Sequence, residues 1–171
     1  MKDETNNPQA ELIVKQVLNA WKDQNKHVST FFTKHDEASY LNEVAPGRNR
    51  AIYLLGHLIG ANDGLQPLFG IGERSFPELV QIFSANPDKA IAKIPSLSEL
   101  KQHWEKVTAI LTRHFDTMTP SEWLERHTAV SEEDFAREPH RNKLNVLLSR
   151  TIHEGYHMGQ LNLLSVKELV A

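Results

Sequence analysis

Hydrophobic residues return at three- and four-residue intervals through most of this chain. Asn7 can cap a helix and Pro8 suits a first helical position. After them Ile13, Val17, Ala20/Trp21, Val28 and Phe31/Phe32 recur among Lys, Asp, Gln and Asn. That period predicts one amphipathic helix to about residue 33. The polar stretch TKHDEASYLNEVAPGRNR then interrupts it, with Pro46-Gly47 marking a turn. From about Asn49 to Leu65 the pattern changes: Ala51, Ile52, Tyr53, Leu54, Leu55, Leu58, Ile59 and Ala61 make a segment that is apolar nearly all round. A helix of that kind belongs inside a bundle.

The next stretch, of about 30 residues, carries Pro67, Gly70, Gly72, Pro77, Pro87 and Pro95, with room for one short helix at FPELVQIF. At up to ~3.3 Å per residue it can cross the length of a bundle, so the helices on either side can run parallel. A third long helix, about Ser98 to Met118, places Leu100, Trp104, Val107, Leu111, Phe115 and Met118 on one stripe. Thr119-Pro120-Ser121-Glu122 fits a capping box and predicts a short helix after it. Beyond the polar segment RHTAVSEEDFAREPHRN, a fourth long helix is expected from about Asn142 to Leu169. No convincing strand alternation or internal repeat interrupts this reading. The expected fold is all-α, one domain over 1–171, most simply a four-helix bundle with a long crossover between its second and third helices.

Composition narrows the function classes. The 171 residues are 40% hydrophobic and 24% charged, with a net charge of −3, which gives no electrostatic case for binding nucleic acid. The longest nearly apolar run, AIYLLGHLIGA, is too short to span a bilayer. The opening MKDETNNPQ lacks the apolar core of a secretory signal, so a cytoplasmic location is expected. With no cysteine, disulfides, thiolate ligands and a cysteine nucleophile are excluded, and any thiol chemistry needs an external thiol.

Nine histidines are the unusual count. His153 and His157 spell H-E-x-x-H with Glu154 between them, and four-residue spacing lets both rings reach one metal ion. Chance alone yields about 0.5 such pairs in a chain with this many histidines, so context has to decide. Six of the others, at 27, 35, 103, 114, 127 and 140, sit among charged residues and read as solvated. His57 lies on the most apolar helix, where an unsatisfied imidazole costs on the order of 1–3 kcal/mol. Alone, it reads as a core histidine bonded to a carbonyl or a tyrosine. Together with the His153/His157 pair it completes a set of three nitrogens, and metal becomes the better account; His114 is the alternative third ligand. Gly56, Gly60 and Gly64 recur through the same helix, and Gly60, Ala61 and Gly64 share the His57 direction. They either let a neighbouring helix approach or leave a cavity over the metal.

A protease does not fit. The downstream histidine of the longer H-E-x-x-H motif is missing, with Gln160 in the place of its glycine. Glu168 would lie on the same helix roughly 16 Å further along. The third ligand has to come from upstream.

On LLGHLIGAND in the second helix and HEGYHMGQL in the last, the chain resembles the DinB/YfiT-like superfamily of metal-dependent enzymes, and the likeness runs from PQAELIVKQVLNAW to GQLNLL. The resemblance implies an up-down-down-up four-helix bundle, usually dimeric, with His57, His153 and His157 binding a divalent metal. It further implies a small-molecule substrate and, in characterised relatives, a low-molecular-weight thiol cosubstrate such as bacillithiol, mycothiol or glutathione, used by S-transferases and isomerases. Three neutral imidazoles leave the ion its full charge; zinc so held activates water or a thiol, and Ni or Fe also suits nitrogen ligands. The expected activity is a thiol-dependent S-transferase or a hydrolase; the alternative is a non-catalytic metal- or ligand-binding stress protein. Glu154 is the candidate general base, or else a solvent-facing helix residue. Gln160, on the His157 face, either orients a ligand or makes a helix–helix hydrogen bond. Tyr53, one turn before His57, is a candidate to line the pocket beside Gly60 and Ala61.

Overall fold

The computed structural model of the chain describes residues 7–164, and these are helical with no strand among them. Helix α1 (Pro8–Lys34) starts where Asn7 accepts from the backbone N–H groups of Gln9 and Ala10, which would otherwise be unpaired. Its buried face is Val14, Trp21, Asn25, Val28, Phe31 and Phe32. Ile13 and Ala20, expected in that stripe, are exposed instead. The i, i+3/i+4 series runs through Val14, Val17, Leu18 and Trp21, which leaves Ile13 one position out of register. The polar stretch after α1 is anchored rather than loose. Tyr40, in a short 3₁₀ turn, is buried and donates its hydroxyl to Phe31 O at 2.6 Å.

Helix α2 (Ala51–Asp63) is buried on nearly every side, as its sequence predicts. It is shorter than expected, because Gly64 separates it from a second small helix, α3 (Leu65–Phe69). Asp63 closes the junction: its carboxylate accepts from the Ser75 and Phe76 backbone N–H groups at 2.8 and 3.0 Å and from Gln66 at 2.6 Å. Helix α4 (Glu78–Phe83) packs on α2, and the chain then runs on past Asn86 and Asp88. Three side chains of the α2 segment hold this crossover. His57 bonds Phe83 O, Tyr53 Oη donates to Asn86 O at 2.7 Å, and Arg50 grips Asp88 through side chain and backbone.

Helix α5 (Leu97–Phe115) begins at a Ser96/Glu99 capping box and buries Leu100, Trp104, Val107, Leu111 and Phe115. Helix α6 (Pro120–Trp123) follows on the expected Thr119/Glu122 box. Helix α7 (Glu132–Arg137), capped by Ser131, lies within the segment read as merely polar; it buries no residue, so no apolar stripe announces it. Helix α8 (Lys143–Leu161) stops at Asn162, short of the expected end at Leu169; Glu168 lies outside the described residues.

Helix α1 packs on α8 and on α5, while α2 packs on α4, α5 and α8. Trp21, Phe69, Phe115 and Trp123 meet edge-on or tilted at 5.0–5.6 Å, joining α1, α3, α5 and α6 in one core. No helix among the described residues is long and apolar enough to cross a membrane.

Candidate metal centre

The contact of α2 with α8 brings His57 to His153, 96 positions away. His57 Nε2 stands 3.1 Å from His153 Nε2, and His157 Nε2 stands 3.0 Å from the same atom. One nitrogen from each of the three rings lies within 4.8 Å of the other two. All three residues are half-buried.

The outer nitrogens decide where the protons are. Phe83 O, 2.9 Å from His57 Nδ1, can only accept, so the His57 proton is on Nδ1. Gln160 donates its Nε2 to Tyr156 Oη at 3.2 Å, leaving Oε1 as the acceptor that faces His157 Nδ1 at 2.7 Å. Both of those rings therefore turn a bare Nε2 lone pair toward His153. A neutral His153 has one proton for two such neighbours, so at least one contact sets lone pair against lone pair. A cation removes the conflict by accepting from all three. Separations near 3 Å also approach the ~3.3 Å between ligand nitrogens of a tetrahedral site with ~2.05 Å bonds. The residues fit the group. Two of the three outer nitrogens are held, by a carbonyl and an amide, as metal-bound histidines ordinarily are, while His153 Nδ1 is buried without a partner.

Electrostatics keep the rings neutral. Desolvation by burial lowers all three pKa values, and His153, flanked by the other two rings and by Arg150, falls to about 4. The Phe83 carbonyl and Gln160 oppose the shift at His57 and His157 without reversing it. Neutral imidazole is the ligating form.

The remaining expected residues fall into place unevenly. Glu154 is fully buried, which overturns its reading as a solvent-facing helix residue. Its carboxylate accepts from Asn62 at 2.6 Å and, at the longer range of 3.5 Å, from Asn25, and it does not join the ligating group. Burial pushes its pKa up to about 7 against the pull of Asn62 and Arg150. Tyr53 spends its hydroxyl on Asn86 and sets its ring edge against Phe83 at 5.6 Å, so it braces the segment that holds His57. The glycines serve close packing, not an open cavity. A Cβ at Gly56 would stand 2.5 Å from the Phe83 ring, one at Gly64 2.6 Å from the Arg74 guanidinium, and one at Gly60 an ordinary 3.8 Å from Leu79. Ala61, one turn past His57, is half-buried. His114 is not in the cluster. Of the other histidines read as solvated, His27 and His140 are exposed, whereas His103 stacks on Phe76 at 3.7 Å.

Sequence reasoning missed Arg150, Arg74 and Asn62. Arg150 precedes His153 by three residues and so shares its face, a signal that was present; Arg74 and Asn62 reach the site through packing that one sequence does not display. No protein-family model matches the chain, and no curated protein matches it.

Proposed function

We propose that the chain is a metal-dependent enzyme of the DinB-like kind, built as an up-down-down-up four-helix bundle that works as a homodimer. Its site takes a divalent cation, zinc first, on His57, His153 and His157, and acts on a small molecule as a thiol-dependent S-transferase or a hydrolase. The observation that carries this reading is the convergence of three imidazole nitrogens, with the outer nitrogens of His57 and His157 bonded so that those two rings turn lone pairs inward. A cation there supplies Lewis acidity, lowering the pKa of a water or thiol brought to it.

The protein's own residues have definable parts in this scheme. Phe83 O and Gln160 fix the tautomers and aim of His57 and His157. Tyr53, through Asn86 and the Phe83 ring, keeps that carbonyl in place. Glu154, near neutral pKa and hydrogen-bonded to Asn62, is a reservoir for a proton behind the site rather than a base aimed into it. With no cysteine in the chain, the thiol of a transfer reaction comes from a cosubstrate.

Elemental analysis of protein purified without added metal tests the reading. One divalent ion per chain is expected, falling well below half in His157→Ala. Full occupancy retained in that variant overturns the site. Turnover with bacillithiol, mycothiol or glutathione and an electrophile, abolished by chelator and restored by zinc, is the expected activity; inactivity with every thiol and with hydrolysable esters and amides leaves a binding protein.

A further inference from the structure

The side chain of Arg150 makes no hydrogen bond or ion pair among the described residues. It lies half-buried on α8, on the same face as His153, Glu154 and His157. Its Nε is buried without a partner. Glu154, the nearest candidate counter-charge, has its two oxygens on Asn62 and Asn25. Guanidinium does not give up its proton at any ordinary pH, so a half-buried one whose Nε lacks a hydrogen-bond partner carries a standing desolvation cost that the nearby Glu154 offsets only through space.

A second guanidinium lies over α2, the helix opposite α8. Arg74 reaches over α2, donating Nη1 to Gly60 O at 2.7 Å while Nη2 occupies the space that a Cβ at Gly64 would need. Helices α2 and α8 are matched at this level by the Asn62–Glu154 hydrogen bond, which sets Gly60–Gly64 opposite the Arg150 end of the site. Glu154 attracts the Arg150 charge and Arg74, to a smaller degree, repels it, while Arg150 disfavours the charged forms of both His57 and His153. Two like charges brought together beside three neutral rings fit a shared anion. The planar fork of arginine matches two oxygens of a carboxylate or phosphate.

We propose that Arg150, supported by Arg74, is a binding residue for an oxyanion, the carboxylate or phosphate group of the substrate, next to the three histidines. The molecule processed is therefore an anion, oriented by its charged end while its reactive group faces the imidazoles. This rests on the three-histidine site being the reactive one, and the test separates the two ideas.

Calorimetric titration with inorganic phosphate and with malonate, on metal-free and zinc-loaded protein, reads the subsite directly. Wild type is expected to bind one of the two at a single site. Arg150→Met should weaken that binding by roughly tenfold or more, about what one charge-assisted hydrogen bond is worth, and should leave zinc stoichiometry unchanged. Arg150→Lys keeps the charge and loses the fork; a loss of several-fold is expected, and this variant decides if the first does not fold. Whichever anion binds more tightly identifies the substrate's charged group. Equal affinity in wild type and either variant overturns the proposal, as does failure of wild type to bind either anion at millimolar concentration. Protein that takes no zinc but binds phosphate through Arg150 would sink the metal reading and leave the anion subsite standing. Protein that takes zinc and ignores both anions would do the reverse.

Discussion

Gln160 is held at both ends, by Tyr156 Oη and by His157 Nδ1. That double attachment fixes which end of the amide accepts, and through it which nitrogen of His157 is free. Gln160→Ala leaves the ligand ring unaimed and is expected to weaken zinc binding by about 10- to 100-fold. Competition against a chromophoric chelator measures this, and an unchanged affinity would show that the amide only bonds within its own helix. At this scale the sequence was informative about histidines and poor about their supports. The four-residue spacing and the isolated imidazole at 57 are visible in a string of letters. The Phe83 carbonyl is a backbone atom, so no residue type marks it. Glu154 misled in its reading as a solvent-facing residue, since a glutamate on a polar-looking helix gives no sign that Asn25 and Asn62 converge on it from two other helices.

Helix α2 shows what governs an element. Gly56 and Gly60 look equivalent in sequence, yet their surroundings differ: the Phe83 ring is 2.5 Å from one Cβ position, while the other meets nothing nearer than 3.8 Å. Gly56→Ala should therefore destabilise by about 1–3 kcal/mol through overpacking. Gly60→Ala should stabilise by up to ~1 kcal/mol through helix propensity. Thermal unfolding of the metal-free variants checks both, and a Gly56→Ala protein as stable as Gly60→Ala would contradict the packing described. The long helices were legible because each buries a periodic stripe, as in Leu100, Trp104, Val107, Leu111 and Phe115. Their ends were less so. The register of α1 hinged on one position at Ile13, α2 ended two residues early, before Gly64, and α7, with nothing buried, left no periodic trace.

Across the whole molecule, the crossover is tied to α2 by the Arg50–Asp88 pair, whose side chains are 22% and 6% exposed. Burial alone would raise the Asp88 pKa, but the hydrogen bonds and charge of Arg50 outweigh it and hold the carboxyl below its usual value. A depressed carboxylate contributes stability that is fully present above the unfolded-state value of 3.8 and is lost as pH falls through the folded one. Asp88→Asn should lose about 2 kcal/mol at neutral pH, in the range for hydrogen bonds to a charged group. It should lose less at a pH well below 3.8, where the unfolded chain takes up the proton that the folded pair resists. Urea unfolding at the two pH values checks this; a penalty independent of pH would mean that the pair contributes no charge-dependent stability. This tie was out of reach from sequence, because Arg50 and Asp88 lie on opposite sides of a stretch whose path only tertiary packing defines.

The separation of His57 from His153 by 96 positions bears on how the protein is made. During synthesis, the first imidazole emerges long before its two companions, which arrive with α8 after nearly every other helix has left the ribosome. A cation cannot template an early folding step in such a chain. On the proposed reading the ion is captured only by a nascent polypeptide already brought close to its final shape by apolar collapse, and from then on it acts as a late clasp, slowing escape more than hastening entry.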